Sequence, residues 1–315
     1  MPPKLNFIIG CTGTGKGGLG RELARRTGAE IISIDSMKVY RRMDIGTAKP
    51  SDEIRREIPH HLIDVVEPSA EFSVAEYVRR AESAISEIHL RGRLILVVGG
   101  TPLYVKALAE GVFEGPSADA ELRARLHEAA VREGVSSLHG RLRRVDPVGA
   151  ERIHRNDLRR IVRALEVFEI TGRTISELQT QWDRARTKYE CGFIGVRRSL
   201  EDQNRRTNLR VQRMIENGLV DEVASLLAEP KPLGRSARQA LGYAEIIKHI
   251  EGGLDLAGAI EMIKINTRQF AKAQRTWFKR FRQTDWLDLA PESNAAEAAD
   301  ALLARKDLKW SAQPK

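Results

Sequence analysis

The apolar run Leu5-Asn6-Phe7-Ile8-Ile9 leads into Gly10-Cys11-Thr12-Gly13-Thr14-Gly15-Lys16-Gly17, and a helical pattern starts again at Leu19. Strand, glycine-rich loop and helix in that order specify the first βα unit of a parallel sheet, with an anion site at its turn. Gly13 and Gly15 let backbone amides curl around a phosphate, the helix N-terminus adds its dipole, and Lys16 adds a point charge. The eight residues Gly10 to Gly17 are therefore the candidate phosphate-binding set. The last of them departs from the pattern: a Ser or Thr that would hold Mg²⁺ is replaced by Gly17. Mg²⁺ keeps several waters, so a water can fill that place, and Thr14 or Thr12 can offer a hydroxyl instead.

The pattern downstream is of the α/β kind. Apolar runs at 5–9, 31–34 and 94–98 read as buried parallel strands, with helical patterns at 16–27 and 74–91 between them. Ligands of such sheets sit beyond the carboxyl ends of the strands. The phosphate loop, Asp35-Ser36 and Gly99-Gly100-Thr101 all fall at such ends. From residue 115 the pattern turns helical, and a further strand is expected at 192–196. Helices are expected near 201–228, 237–250, 256–263 and 264–283. The reading is a P-loop-like parallel sheet flanked by helices, formed by 1–114 and 191–290. A helical insertion spans 115–190 and a loosely attached tail spans 291–315.

Hydrophobic content of 42% and charged content of 30% suit an ordinary soluble protein. No run of eighteen apolar residues is present, so no membrane span is expected. Met1-Pro2-Pro3-Lys4 runs straight into the first strand and leaves no room for a signal peptide. Two cysteines, Cys11 and Cys191, are too few for a disulfide framework or a zinc site and suit a reducing cytoplasm. The net charge is +9, and its arginines cluster: Arg141, Arg143, Arg144, Arg152, Arg155, Arg159, Arg160 and Arg163 lie close together. That clustering favours nucleic acid, with phosphate contacts more than base reading.

Asp35 directly follows Ile31-Ile32-Ser33-Ile34. A carboxylate there can bind Mg²⁺ through water, accept a proton from an attacking nucleophile, or merely cap the next segment. Its expected neighbour, the phosphate loop, favours chemistry. The glycines before Thr101 permit close approach to a ligand, and the Thr101 hydroxyl can donate to a phosphate oxygen. Two adjacent histidines on a strand point opposite ways, so His60 and His61 are not expected to share a metal and are read as loop or polar packing residues. Trp277 and Phe278, among basic residues, are read as core before they are read as base-stacking groups.

Taken in order, the segments resemble the tRNA dimethylallyltransferases. They are GCTGTGKG at 10–17, IDSMKVYRRMDIGTAKP at 34–50, HHLIDVVEPSAEFSVAEY at 60–77 and LVVGGTPLYVKAL at 96–108. They continue with SADAELRARL at 117–126, VDPVGAERIHRNDLRRIVRALEV at 145–167, RQALGYAEI at 238–246 and TRQFAKAQRTWFKR at 267–280.

The resemblance implies transfer of a dimethylallyl group from dimethylallyl diphosphate to the exocyclic N6 amine of the adenosine 3′ to a tRNA anticodon, with Mg²⁺ as cofactor. Lys16 and the loop amides would hold the departing diphosphate, Asp35 would take the amine's proton, and Thr101 would sit by the reacting centre. The tRNA contacts it implies are Asp35, Ser36, Met37, Lys38, Thr101, Arg123, Arg159, Arg160, Ile161, Val162, Arg163, Arg238, Gln239, Ala240, Leu241, Gly242, Tyr243 and Ala244. A monomeric, cytoplasmic, bacterial-type member is expected. The chain departs from the family pattern at Cys11 (Pro), Gly13-Thr14 (Ala-Ser), Gly17 (Thr or Ser), Lys38 (Gln) and Ala273 (Arg). Gly17 keeps open a tRNA-binding relative with weakened catalysis. A P-loop kinase is a further alternative, against which the arginine-rich insertion argues.

Overall fold

Strand β1 (Lys4–Gly10) buries both faces. Leu5, Phe7 and Ile9 point into one hydrophobic layer and Ile8 into the other, the period-two split of a strand inside a parallel sheet. The computed structural model describes residues 2–111, 115–178 and 188–305. Helix α1 (Lys16–Thr27) leads to β2 (Glu30–Ile34), α2 (Asp52–Glu57), the short β3 (His60–His61), α3 (Val74–Leu90), β4 (Ile95–Gly99) and α4 (Pro102–Glu110). A helical segment follows: α5 (Ala120–Glu133), α6 (Val135–Val145), α7 (Pro147–Arg152), α8 (Leu158–Thr171) and α9 (Ile175–Leu178). The chain then returns through β5 (Glu190–Arg197), α10 (Leu200–Glu216), α11 (Leu219–Leu227), α12 (Arg235–Arg238), α13 (Tyr243–Ile250), α14 (Leu256–Phe278), β6 (Asp285–Asp288) and α15 (Ala295–Ala304).

The six strands pair in parallel in the order β3-β2-β4-β1-β5-β6. The register matters for the site. Gly99 lies opposite both Ile9 and Ile34, so β1, β2 and β4 end at one level. The three segments that follow them emerge side by side.

Helices α3, α4 and α14 cover one face of the sheet, and α1 and α15 the other. A third apolar cluster joins residues 39–43 to α10, α11, α13 and the start of α14. Two compact units result. Met1–Ala109 with Lys188–Lys315 holds the sheet, and Glu110–Thr187 carries helices α5 to α9 around a core of its own that includes Leu126, Leu142, Ile161 and Leu165. Among the described residues no helix is long and apolar enough to cross a membrane.

Four expectations change, one being that the helix expected over 237–250 begins only at Tyr243, as α13, after the separate turn α12. The helix expected over 201–228 is broken at Asn217-Gly218 into α10 and α11, and the pair expected at 256–263 and 264–283 is one helix, α14. Within the expected tail, 295–304 form α15. Its Ala298, Ala299 and Leu302 are buried against α1, because a small-residue face lets that helix pack closely. Residues 306–315 lie outside the described residues, as do 179–187 at the end of the expected insertion.

Candidate active site

Side chains take the carbonyls of the loop between β1 and α1. Gly13 and Gly15 have φ of 82° and 93°, a region that L-residues rarely adopt. The Cys11 carbonyl accepts from Thr14 Oγ1 and from Lys16 Nζ, both at 3.0 Å. Gln203 Nε2 donates to the Thr12 carbonyl at 2.6 Å, Arg206 Nε to that of Gly13 at 3.2 Å and Arg198 Nε to that of Thr14 at 3.1 Å. The Thr12 amide is taken by Gln274 Oε1 at 2.9 Å. Among the described residues the amides from Gly13 to Gly17 have no protein acceptor. A cup of free N–H groups at a helix N-terminus binds phosphate.

Asp35 follows β2. Its Oδ1 accepts from the amides of Met37 (2.9 Å) and Lys38 (3.3 Å), which fixes the carboxylate in place. The Ser36 amide donates to Thr101 Oγ1 at 3.1 Å, so the segments after β2 and β4 are tied together. Gly99 and Gly100 permit this closeness. A Cβ on Gly99 would lie 2.2 Å from the Ile34 carbonyl oxygen, and one on Gly100 would lie 2.9 Å from Gln274 Nε2.

All three segments line one cavity of about 1150 Å³, shared with Arg21, Lys38, Arg210 and residues 239–243. Burial lowers Lys16 to about 8; Asp35 opposes this, while Arg210 and Lys38 reinforce it. Burial also lowers Lys38 and Arg210, and the Asp35 carboxylate partly restores both. Asp35 is thus the shared counter-charge of three cations.

Several expected positions have other roles. Thr14 is buried, its hydroxyl donates to the Cys11 carbonyl, and it does not line the cavity, which argues against it as a metal ligand there. Ile161 and Val162 are core residues of α8 and cannot touch RNA; the exposed face carries Arg159 and Arg160. Arg123 and Arg163 both pair with the fully buried Glu166, at 2.8 and 2.6 Å. Ala240 and Tyr243 are buried, though both also border the cavity. Arg238 pairs with Glu251. Ala244 does not line the cavity, whereas Ser36, Met37, Lys38, Gln239, Leu241 and Gly242 do. His61 bonds Glu30 at 2.7 Å while His60 bonds the Ile58 carbonyl at 2.6 Å, as opposite-facing packing residues. Phe278 is core and Trp277 packs on it, under Arg280.

Sequence reasoning missed Arg198, Gln203, Arg206, Arg210 and Gln274. The signal was available in part: positions 203, 206 and 210 follow the spacing of one helix face. It also missed why 44–49 matches so well. Glu222 accepts from the amides of Asp44 (3.0 Å) and Ile45 (2.8 Å) and from the Tyr243 hydroxyl, and buried Lys49 bridges Asp44 and Asp64.

The donors fit a protein-held Mg²⁺ poorly. At the loop Gly17 has no side chain and Thr14 does not line the cavity, which leaves the Thr12 hydroxyl and, after β2, the Asp35 carboxylate; among the described residues no group of three His, Cys, Asp or Glu converges.

Comparison with known proteins agrees with this geometry. The IPP transferase family model matches residues 38–281. The chain is 46% identical to a tRNA dimethylallyltransferase of Geobacter metallireducens over 90% of its own length and 92% of that protein. It is 46% identical to one of Symbiobacterium thermophilum, over 98% and 97%. Its fold is similar to the tRNA isopentenylpyrophosphate transferase of Bacillus halodurans, with a TM-score of 0.69, 38% identity and 95% of each chain covered. It is also similar to a eukaryotic dimethylallyltransferase solved acting on tRNA, with a TM-score of 0.80, 27% identity, and 98% of this chain and 81% of that one covered. A phosphate loop, an aspartate and a threonine brought to one level of a parallel sheet, in a chain this similar to these enzymes, belong to a member of the IPP transferase family.

Proposed function

We infer that this chain is a tRNA dimethylallyltransferase. It moves the dimethylallyl group of dimethylallyl diphosphate to the N6 amine of the adenosine 3′ to the anticodon, releasing diphosphate. The observation that carries the reading is the meeting of Asp35, Thr101 and the amide cup of the loop at one cavity.

In the step, the amine nitrogen bonds the allylic carbon, the carbon–oxygen bond breaks, and its electron pair leaves on the diphosphate. Lys16 and the loop amides receive that charge; preorganised donors of this kind act where charge develops. The Asp35 carboxylate takes the proton that the amine sheds. Thr101, held against the Ser36 amide, orients the adenine edge. The adenosine must leave its stack, at a cost of a few kcal/mol, and the rim at 239–243 is where it would be received. Arg159 and Arg160 would meet anticodon-stem phosphates.

The test is single-turnover transfer of a labelled dimethylallyl group to unmodified tRNA. Incorporation at N6 of that adenosine is expected. Tight tRNA binding with no incorporation would favour a binding protein, the reading that Gly17 keeps open.

A further inference from the structure

Gly17 and Arg21 lie four residues apart on α1, on one face of the helix. A Cβ built on Gly17 would be 3.7 Å from Arg21 Nη1. The guanidinium thus lies beside the place where a Ser or Thr hydroxyl would hold a metal. Arg21 and Lys38 both line the cavity with the loop amides. Neither the Arg21 guanidinium nor the Lys38 ammonium has a hydrogen-bond or salt-bridge partner among the described residues. Each is removed from water to a degree that lowers its pKa, by burial first, and Arg21 lowers Lys38 further. Among the described residues Arg21 has no acid paired to it and Lys38 shares the single Asp35 carboxylate with Lys16 and Arg210, so the cations beside the amide cup outnumber the acid that faces them and need an anion. Two of the chain's departures from the family pattern, Gly17 and Lys38, thereby become parts of one arrangement.

We propose that Arg21 and Lys38 supply the charge that a hydroxyl-held Mg²⁺ would bring to the diphosphate, so that this chain binds the diphosphate with little dependence on divalent metal. A guanidinium offers paired N–H donors to phosphate oxygens, and the ammonium adds a point charge. The proposal rests on the transferase reading for the identity of the ligand, but the binding it describes does not require transfer to occur.

Calorimetric titration of the full chain with inorganic pyrophosphate, in EDTA and in Mg²⁺, tests it. The Kd in EDTA is expected within about fivefold of that in Mg²⁺. Arg21→Gln and Lys38→Gln are each expected to weaken binding in EDTA about tenfold without lowering cooperativity of thermal unfolding. Gly17→Thr, which adds a hydroxyl in ordinary contact with Arg21, is expected to make Mg²⁺ matter. Tightening by Mg²⁺ of more than about fivefold in the unaltered chain, or unchanged affinity in both charge variants, overturns the proposal. Failure to bind pyrophosphate in either condition overturns it together with the phosphate-loop reading. Metal-independent pyrophosphate binding without prenyl transfer to tRNA leaves it standing and overturns the transferase reading alone.

Discussion

Asp35 has two demands on it: it balances Lys16, Lys38 and Arg210, and it is the one acid fixed by the Met37 and Lys38 amides at the level of the loop. Asp35→Asn keeps the shape and removes the proton acceptor. Single-turnover transfer is expected to fall about 10²-fold or more, with tRNA affinity within a few-fold in a filter-binding assay; an equal loss of both would end its assignment as the base. Lys16 carries a second prediction. Burial holds it at about 8 in the free protein. It is charged below that pH and neutral above it, and the anion needs the charged form. Pyrophosphate affinity is therefore expected to decline as pH rises past about 8, by up to about tenfold per unit. Lys16→Met should remove that decline, leaving the titration of the ligand itself.

Elements hold the loop more than the loop holds itself. Gln274 on α14 accepts from the Thr12 amide and donates to the Gly100 carbonyl at 2.5 Å, joining the segments after β1 and β4. Gln274→Ala leaves both groups without a partner in a buried place. A loss of about 1–3 kcal/mol in stability is expected from denaturant unfolding, with weaker pyrophosphate binding. If binding is unchanged, α14 does not shape the cup. Helix α15 acts from the other face of the sheet. Leu302 is fully buried with Leu19 and Leu23 of α1. Leu302→Ala is expected to cost about 2–4 kcal/mol, read from urea unfolding; a value near zero would mean that α15 is dispensable.

At the scale of the whole molecule the net charge of +9 is unevenly available. Glu166 pairs with both Arg123 and Arg163 within the helical unit, offsetting one of their two charges, and Asp157 pairs with Arg160 at 2.6 Å. Arg159 is exposed and makes no salt bridge among the described residues. Phosphate contacts release counterions, so affinity falls with salt according to the number of contacts. Arg159→Ala is expected to flatten the slope of log K for tRNA against log salt by about one, with no change in pyrophosphate binding. Glu166→Gln is expected to unfold the helical unit at lower temperature rather than to alter the slope, because it leaves two guanidinium groups beside a neutral amide.

The strand–loop–helix at 5–27, the strands β2, β4 and β5 and the alignment of Asp35 and Thr101 with the loop were legible in the sequence, whereas the short edge strands β3 and β6 were not. Each legible feature leaves a local mark: an apolar run, a glycine pair or a polar residue at the end of a strand. The arginine cluster was legible as composition, but not the division of its members between surface and ion pair. The splitting of residues 161–162 into the core and 159–160 onto the surface is a matter of helix phase against a core that only folding assembles. The holders of the loop were illegible for the same reason. Arg198 reaches Thr14 across 184 positions and Gln274 reaches Thr12 across 262, and a contact made once over such a span imprints no period on the chain. Sequence determined that a glycine-rich loop would join the first strand of a parallel sheet to a helix. Tertiary structure decided which cations stand beside Gly17, because burial and distance, rather than residue order, set the charge that an anion meets.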